Sequence, residues 1–237
     1  KIDLAERVKE LLDKEIQTVF HNVTKELDDI QPQEAETNDT DLRQHGHKID
    51  KKIVGFEDAI DDLIGKLEQP SSDPVGVISI IGMGGLGKTT VASKIFNDPG
   101  IEYLFPIRIW ITISESYNPK DIYMAILEHF ITDDMSGKSD DDLAEKAREH
   151  LKNAVFLLVL DDVWTPDAWK DIKRALPWGS SRSPSSLPSD KTSSKVLITS
   201  RHTSVALSAN PNEQPYALRF LNKDESWKNN ATVYRSL

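Results

Sequence analysis

The chain has 237 residues, of which 38% are hydrophobic, so it is long enough for one large α/β domain with an appendage. Its net charge of −10 argues against general nucleic-acid binding, because phosphate backbones are held by surfaces rich in Lys and Arg. It has no cysteine and no apolar run of about 18 residues, which excludes disulfides, thiolate metal sites and a transmembrane segment. We therefore expect a cytoplasmic protein, and a sequence that begins at Lys1 without a secretory signal is expected to be a fragment.

The N-terminal residues predict a helix and a linker. Residues 1–30 repeat apolar side chains at helical spacing and predict one amphipathic helix. This helix either packs on its own domain or ends an upstream bundle or coiled coil, and the second alternative is favoured because a linker follows. Residues 31–51 contain Pro32, many acidic residues and almost no apolar ones, which indicates a flexible connection.

A short helix and a buried strand come next. Apolar residues after Glu57 recur on one face of a predicted helix: Ile60, Leu63, Ile64 and Leu67. The turn 69–74 leads into a β-branched run that is typical of a strand covered on both faces of a parallel sheet: Val77, Ile78, Ile80 and Ile81.

The residues directly after this strand carry the strongest chemical signal in the chain. Residues 82–89, GMGGLGKT, match the phosphate-loop pattern G-x-x-x-x-G-K-[ST] at every required position. Glycines let backbone N–H groups turn inward around phosphate oxygens, Lys88 adds a charge for the β- and γ-phosphates, and the Thr89 hydroxyl can bind Mg²⁺. A helix from Thr90 would direct its positive end at the anion. The predicted phosphate-binding residues are Gly82, Gly84, Gly85, Leu86, Gly87, Lys88, Thr89 and Thr90.

Two further strands are predicted before the next chemical signal. A strand over 106–113 is followed by a helix from Asn118, an acidic loop over 133–142, a helix over 143–151 and an apolar strand over 155–160. An apolar strand that ends in Asp, downstream of a phosphate loop, is the Walker-B arrangement. Asp161 is the predicted Mg²⁺ ligand, and Asp162 is the candidate to orient a water for attack on the γ-phosphate. The sequence alone does not separate these two roles.

The remaining segments predict one more βα unit and a sensor. A helix over 168–176 and an exposed Ser/Pro-rich loop over 179–194 precede a strand over 195–200. Arg201 follows that strand, at the sheet edge predicted for the phosphate loop, where it is either a γ-phosphate sensor or a surface residue. Residues 216–220 predict a last strand, and residues 221–237 a helix that is cut short.

Four of these segments, in this order and spacing, resemble the NB-ARC module of plant intracellular immune receptors of the NLR class: GMGGLGKTT, RIWITIS, LLVLDDVW and KVLITSR. The resemblance covers about residues 53–227, and Trp164 is typical of receptors with an N-terminal coiled-coil domain. It implies four parts: residues 1–30 as the end of a coiled-coil domain, 31–51 as linker, 52–220 as P-loop domain, and 221–237 as the truncated start of a helical subdomain.

The resemblance also implies roles for residues and a mode of action. Val54, Gly55 and Phe56 would lie against adenine, Lys88 on phosphate, and Thr89 with Asp161 on Mg²⁺. Asp162 becomes the hydrolytic base candidate and Arg201 the sensor. In this family ADP marks the resting state and ATP the active, homo-oligomerising state. The later ARC portion, with its GLPL-like and Met-His-Asp-like segments, and the leucine-rich repeats are absent from the sequence, and the pathogen effector or host protein sensed is not specified by these residues.

Three functions therefore compete at this point. The first is an adenine-nucleotide switch in plant defence with at most slow Mg²⁺-dependent hydrolysis. The second is a P-loop ATPase or kinase with steady turnover, and the third is a scaffold with a degenerate site, which the intact motifs disfavour. For all three the predicted fold class is a P-loop NTPase, a three-layer, doubly wound, mainly parallel α/β sheet preceded by an amphipathic helix.

Overall fold

The computed structural model describes residues 55–71, 73–132, 135, 137–178, 193–221 and 225. The predictions for the N-terminal helix, the linker, Val54, most of the Ser/Pro-rich loop and nearly all of the C-terminal helix lie outside these residues. No helix within the described ranges is long and apolar enough to cross a membrane.

Helices and strands alternate along the described part of the chain. In order, they are α1 (Glu57–Glu68), β1 (Val75–Ile81), α2 (Lys88–Phe96), α3 (Pro99–Leu104), β2 (Ile107–Thr112), α4 (Pro119–Leu127), α5 (Asp140–Lys152), β3 (Phe156–Val163), α6 (Pro166–Arg174), β4 (Ser194–Ser200), α7 (Thr203–Ala209) and β5 (Tyr216–Ala217).

The five strands form one parallel sheet in the order β2-β3-β4-β1-β5. Strand β4 lies between β1 and β3, so the strand that carries the phosphate loop does not pair with the strand that carries Asp161. Because all strands run the same way, the residues that follow each of them meet at one edge of the sheet.

Both faces of the sheet are covered by helices. Alternate residues of β3 point to opposite sides: Phe156, Leu158 and Leu160 join a core with α4 to α7, whereas Leu157 and Val159 join a core with α1 to α3. This two-sided burial explains why the strands read as continuous apolar runs. The predicted three-layer, doubly wound α/β architecture is confirmed.

The predicted boundary between the acidic loop and the next helix was wrong. The segment 133–142 was expected to be a loop up to Leu143, but α5 begins at Asp140. The Ser139 hydroxyl accepts a hydrogen bond from the Asp142 N–H at 3.2 Å, and three acidic residues occupy the first turn. An N-cap serine and early acidic residues stabilise a helix N-terminus, so the residues that suggested a polar loop form the start of a helix.

Two short helices were not predicted. The Asp98 carboxylate accepts hydrogen bonds from the N–H groups of Gly100 and Ile101 and caps α3, which has Pro99 as its first residue. The pair Asp98-Pro99 is a recognisable signal for the start of a helix. Helix α7 consists mainly of small residues, so its sequence shows only a weak helical repeat of apolar side chains.

The cap at Ser139 gives a direct test of the corrected boundary. We expect Ser139→Ala to lower the free energy of unfolding by about 1 kcal/mol, because the Asp142 N–H loses its acceptor. Ser139→Asn keeps a capping oxygen and is expected to match the wild-type chain in urea titrations. Equal stability of Ser139→Ala and the wild type would place the start of α5 later in the chain.

Candidate functional site

The phosphate-loop segment connects β1 to α2. It leaves the sheet after Ile81, and α2 begins at Lys88, two residues earlier than the predicted start at Thr90. Gly85 and Gly87 have φ angles of 74° and 101°, a region that favours glycine. At Gly87 space is also limited, because an added Cβ would lie 3.0 Å from the ring of Phe56.

The Lys88 side chain is held inside this loop. It is 6% exposed, and its ammonium donates hydrogen bonds to the carbonyl oxygens of Gly82 at 2.9 Å and Met83 at 3.0 Å. Burial lowers the pKa of Lys88, and the negative charge of Asp162 partly opposes this shift. The loop therefore holds a buried ammonium against its own backbone, an arrangement that suits the binding of an anion.

The Asp161 carboxylate lies beside the loop and receives two hydroxyl groups. Its Oδ1 accepts hydrogen bonds from Thr89 at 3.0 Å and from Thr199 at 2.6 Å, and the residue is 4% exposed. Burial raises the pKa of Asp161, and the two hydroxyl donors act against that rise. A hydroxyl and a carboxylate oxygen at this separation form a hard donor pair of the kind that Mg²⁺ uses together with nucleotide phosphates, so these residues fit such an ion.

Thr199 was not predicted as part of the site. Its hydroxyl donates to Asp161 and accepts from the backbone N–H of Asp162 at 2.8 Å. The only local signal was a polar residue directly after the apolar run of Val196, Leu197 and Ile198 in β4, and that signal does not say which neighbour the residue contacts. The position of β4 between β1 and β3 makes Thr199 the bridge between the two motifs.

The two neighbouring aspartates have different surroundings. Leu160 pairs with Ile198 and Val163 with Ser200, so three steps along β3 match two along β4, which is a β-bulge. Asp162 lies in this bulge with a φ angle of 56°. Asp161 faces Thr89, whereas Asp162 is partly exposed and faces Arg201, with 3.4 Å between its Oδ2 and Nη2 of Arg201.

Arg201 extends from the end of β4 across the phosphate loop. An added Cβ on Gly84 would lie 3.2 Å from its Nη1. Its Cζ lies 4.8 Å from the ring centroid of Trp164, which follows β3. The structure thus brings Arg201 close to the loop and to Asp162.

The predicted adenine-facing residues lie beside the same loop. Gly55 and Phe56 both have positive φ angles, and the Phe56 ring is buried against Gly87. A second residue that sequence reasoning missed, Arg219, has its Cζ 5.7 Å from the Phe56 ring and pairs with Asp58 and Glu225 at 2.8 Å each. An exposed arginine gives no sequence signal for a partner such as Asp58, which is 161 residues away in the chain.

The other predicted loop residues take supporting positions. The Leu86 side chain covers Gly82, where an added Cβ would lie 2.7 Å from Leu86 Cδ2, and the Gly82 N–H donates to the Ser200 carbonyl at 3.3 Å. Thr90 is partly buried in the first turn of α2. Together, the loop, two aspartates, Thr199 and Arg201 form one cluster at the carboxyl edge of the sheet.

A comparison with protein families matches residues 56–232 to the NB-ARC domain. This chain belongs to the NB-ARC family. The match spans most of the chain and contains every element of the cluster described above.

Similar curated proteins are plant disease-resistance proteins. The chain is 35% identical over 185 residues to a late blight resistance protein homolog of Solanum demissum and 34% identical over 183 residues to the disease resistance RPP13-like protein 3 of Arabidopsis thaliana. The alignments cover 76% and 74% of this chain but 22% and 20% of those proteins. The predicted resemblance to the NB-ARC module of plant NLR disease-resistance proteins is confirmed.

Solved structures with low sequence identity share the fold. Cdc6p from Pyrobaculum aerophilum superposes with a TM-score of 0.51 at 16% identity over 84% of this chain and 52% of that protein. The ORC1 protein of Aeropyrum pernix, solved in complex with DNA, gives 0.52 at 16% identity over 77% and 50%. These similarities support the P-loop NTPase fold class and carry no information about ligands.

The Thr199 hydroxyl gives a test of how the cluster is held. We expect Thr199→Val to lower the free energy of unfolding by about 1–3 kcal/mol, because a buried carboxylate and the Asp162 N–H each lose a hydrogen-bond partner. Thr199→Ser retains the hydroxyl and serves as the matched control in urea unfolding. A Thr199→Val chain as stable as Thr199→Ser would contradict the bridging role.

Proposed function

We propose that this chain is the adenine-nucleotide switch module of an intracellular plant immune receptor, ADP-bound at rest and ATP-bound when active. The observation that carries the proposal is the arrangement around Asp161. Lys88, Thr89 and Asp161 converge beside a glycine loop whose backbone N–H groups stand at the start of α2. A positive loop next to a hard donor pair suits a phosphate chain with its metal ion.

In this proposal each side chain has a distinct task. Lys88 binds the β- and γ-phosphates, and Thr89 and Asp161 hold Mg²⁺, which would neutralise phosphate charge. Asp162 orients a water near the γ-phosphate, and its partial exposure suits that task better than the buried Asp161. Arg201 senses the γ-phosphate, while Val54, Gly55 and Phe56 contact the adenine.

The proposal extends to the larger receptor. We infer that the predicted divisions at 30, 51 and 220 separate a coiled-coil end, a linker, the P-loop domain and the next helical subdomain. ARC and leucine-rich-repeat portions would complete the switch, the active full-length protein would form homo-oligomers, and the absence of cysteine suits the cytoplasm. Hydrolysis in this scheme is at most slow.

The deciding experiment identifies the nucleotide that the purified chain carries. Denaturation followed by chromatography is expected to release ADP in stoichiometric amount. Rapid multiple turnover of added ATP, with no retained nucleotide, would instead support the alternative of a P-loop ATPase or kinase.

Replacing the loop lysine tests the phosphate assignment. We expect Lys88→Arg to weaken ADP binding by about 10- to 100-fold, because the planar guanidinium does not fit the buried position of the ammonium. Lys94→Arg, on the same helix, is the matched control. Titration calorimetry together with far-UV circular dichroism separates lost binding from lost folding. Unchanged affinity of Lys88→Arg would overturn the assignment.

Replacing the exposed aspartate tests the division of roles. We expect Asp162→Ala to lower the single-turnover rate of ATP hydrolysis by at least about 100-fold, since a water-orienting base is lost. ADP affinity is expected to stay within roughly threefold of the wild type. Asp167→Ala, an exposed aspartate on α6, is the control. Similar losses of binding and hydrolysis would mean that Asp162 takes part in holding the metal ion.

A further inference from the structure

Trp164 contacts the proposed sensor without having any part in the scheme above. It follows β3 directly, and its ring centroid lies 4.8 Å from Cζ of Arg201. The same ring lies 6.4 Å from the ring of His202. The indole is therefore packed between the end of β3 and the residues that follow β4.

The position of Arg201 over the Trp164 ring leaves its hydrogen-bonding groups available. A guanidinium that lies over an aromatic ring uses its face for the cation–π contact, and its N–H groups point outward in the plane. One of these edges meets Asp162, with 3.4 Å between Nη2 and Oδ2, and Nη1 lies above the loop at Gly84. An anion on the loop can thus bind Arg201 while the ring contact persists.

Without the ring, the side chain would be poorly ordered. Arg201 has 44% of its side chain exposed, and its ion pair with Asp162 is long. Exposed ion pairs contribute little, and a free arginine side chain samples many rotamers. A cation–π contact at an exposed site changes an equilibrium by a few-fold, which is enough to favour one rotamer.

We propose that Trp164 is a positioning residue that holds Arg201 over the phosphate loop and thereby raises the affinity for nucleoside triphosphate relative to diphosphate. The inference rests on the proposed function, in that Arg201 must meet a γ-phosphate. Preorganisation lowers the ordering cost of that one contact, so only ligands with a third phosphate gain from it.

The test compares the affinities for a non-hydrolysable ATP analogue and for ADP, both with Mg²⁺. We expect Trp164→Leu to reduce the ratio of triphosphate to diphosphate affinity by about two- to fivefold, with ADP affinity unchanged. Trp164→Phe keeps an aromatic ring with a weaker π face, and its affinity ratio is expected to lie between those of the wild type and Trp164→Leu. In an Arg201→Gln background, Trp164→Leu is expected to have no further effect.

A matched control exists elsewhere in the chain. Lys173 Nζ lies 4.8 Å from the ring centroid of Trp178, which follows α6 in the chain and packs edge-on against Trp169 of that helix. Trp178→Leu is expected to leave the affinity ratio unchanged even where it lowers stability. This variant separates a local effect on Arg201 from a general effect of losing a tryptophan.

The possible outcomes separate the role of Trp164 from the proposed function on which it rests. A selective loss in Arg201→Gln without one in Trp164→Leu overturns the role of Trp164 and leaves the sensor assignment intact. Equal losses of ATP-analogue and ADP affinity in Trp164→Leu also overturn it. An unchanged ratio in Arg201→Gln overturns both the sensor assignment and the role of Trp164, whereas no nucleotide binding by the wild-type chain overturns the proposed function itself.

Discussion

The architecture of the site depends on the hydrogen bonds that a buried carboxylate requires. Asp161 is almost fully buried, and its Oδ1 receives the hydroxyls of Thr89 from α2 and Thr199 from β4. An ionised carboxylate in that position without donors would be strongly unfavourable. The three elements that carry these residues are therefore held in register, and this places the phosphate loop next to the end of β3.

The bulge in β3 gives the two adjacent aspartates different environments. Asp162 adopts a φ angle of 56°, which for a residue with a side chain costs on the order of 1 kcal/mol or more. Two contacts offset this cost: the Asp162 N–H donates to Thr199, and the Ser200 hydroxyl donates to the Val163 carbonyl at 2.6 Å. Polar residues at the end of β4 thus support a distortion in β3, and the distortion leaves one carboxylate buried and the next one partly exposed.

Local patterns predicted most of this fold, and long-range pairing limited the rest. The apolar runs of β1 to β4 and the loop 82–89 are contiguous in sequence, so the strands and the loop were predicted nearly at their observed positions. The placement of β4 between β1 and β3 depends on contacts between distant segments. For that reason neither the bridging role of Thr199 nor the pairing of Arg219 with Asp58 could be predicted. Short helices such as α7 have too few residues for a clear periodicity.

The charges of the site indicate which part of it can respond to an anion. Lys88 is buried and bound by two loop carbonyls at 2.9 and 3.0 Å, so its position is set by the loop itself. Arg201 is exposed and meets Asp162 at 3.4 Å, a contact that a phosphate can replace with stronger charge-assisted hydrogen bonds. The loop carbonyls therefore fix the position of Lys88, whereas the contact of Arg201 with Asp162 is the one that an added phosphate can replace while Trp164 keeps Arg201 in place. A difference of one phosphate group would then change the partners of Arg201 and Asp162 and leave those of Thr89 and Asp161 in place.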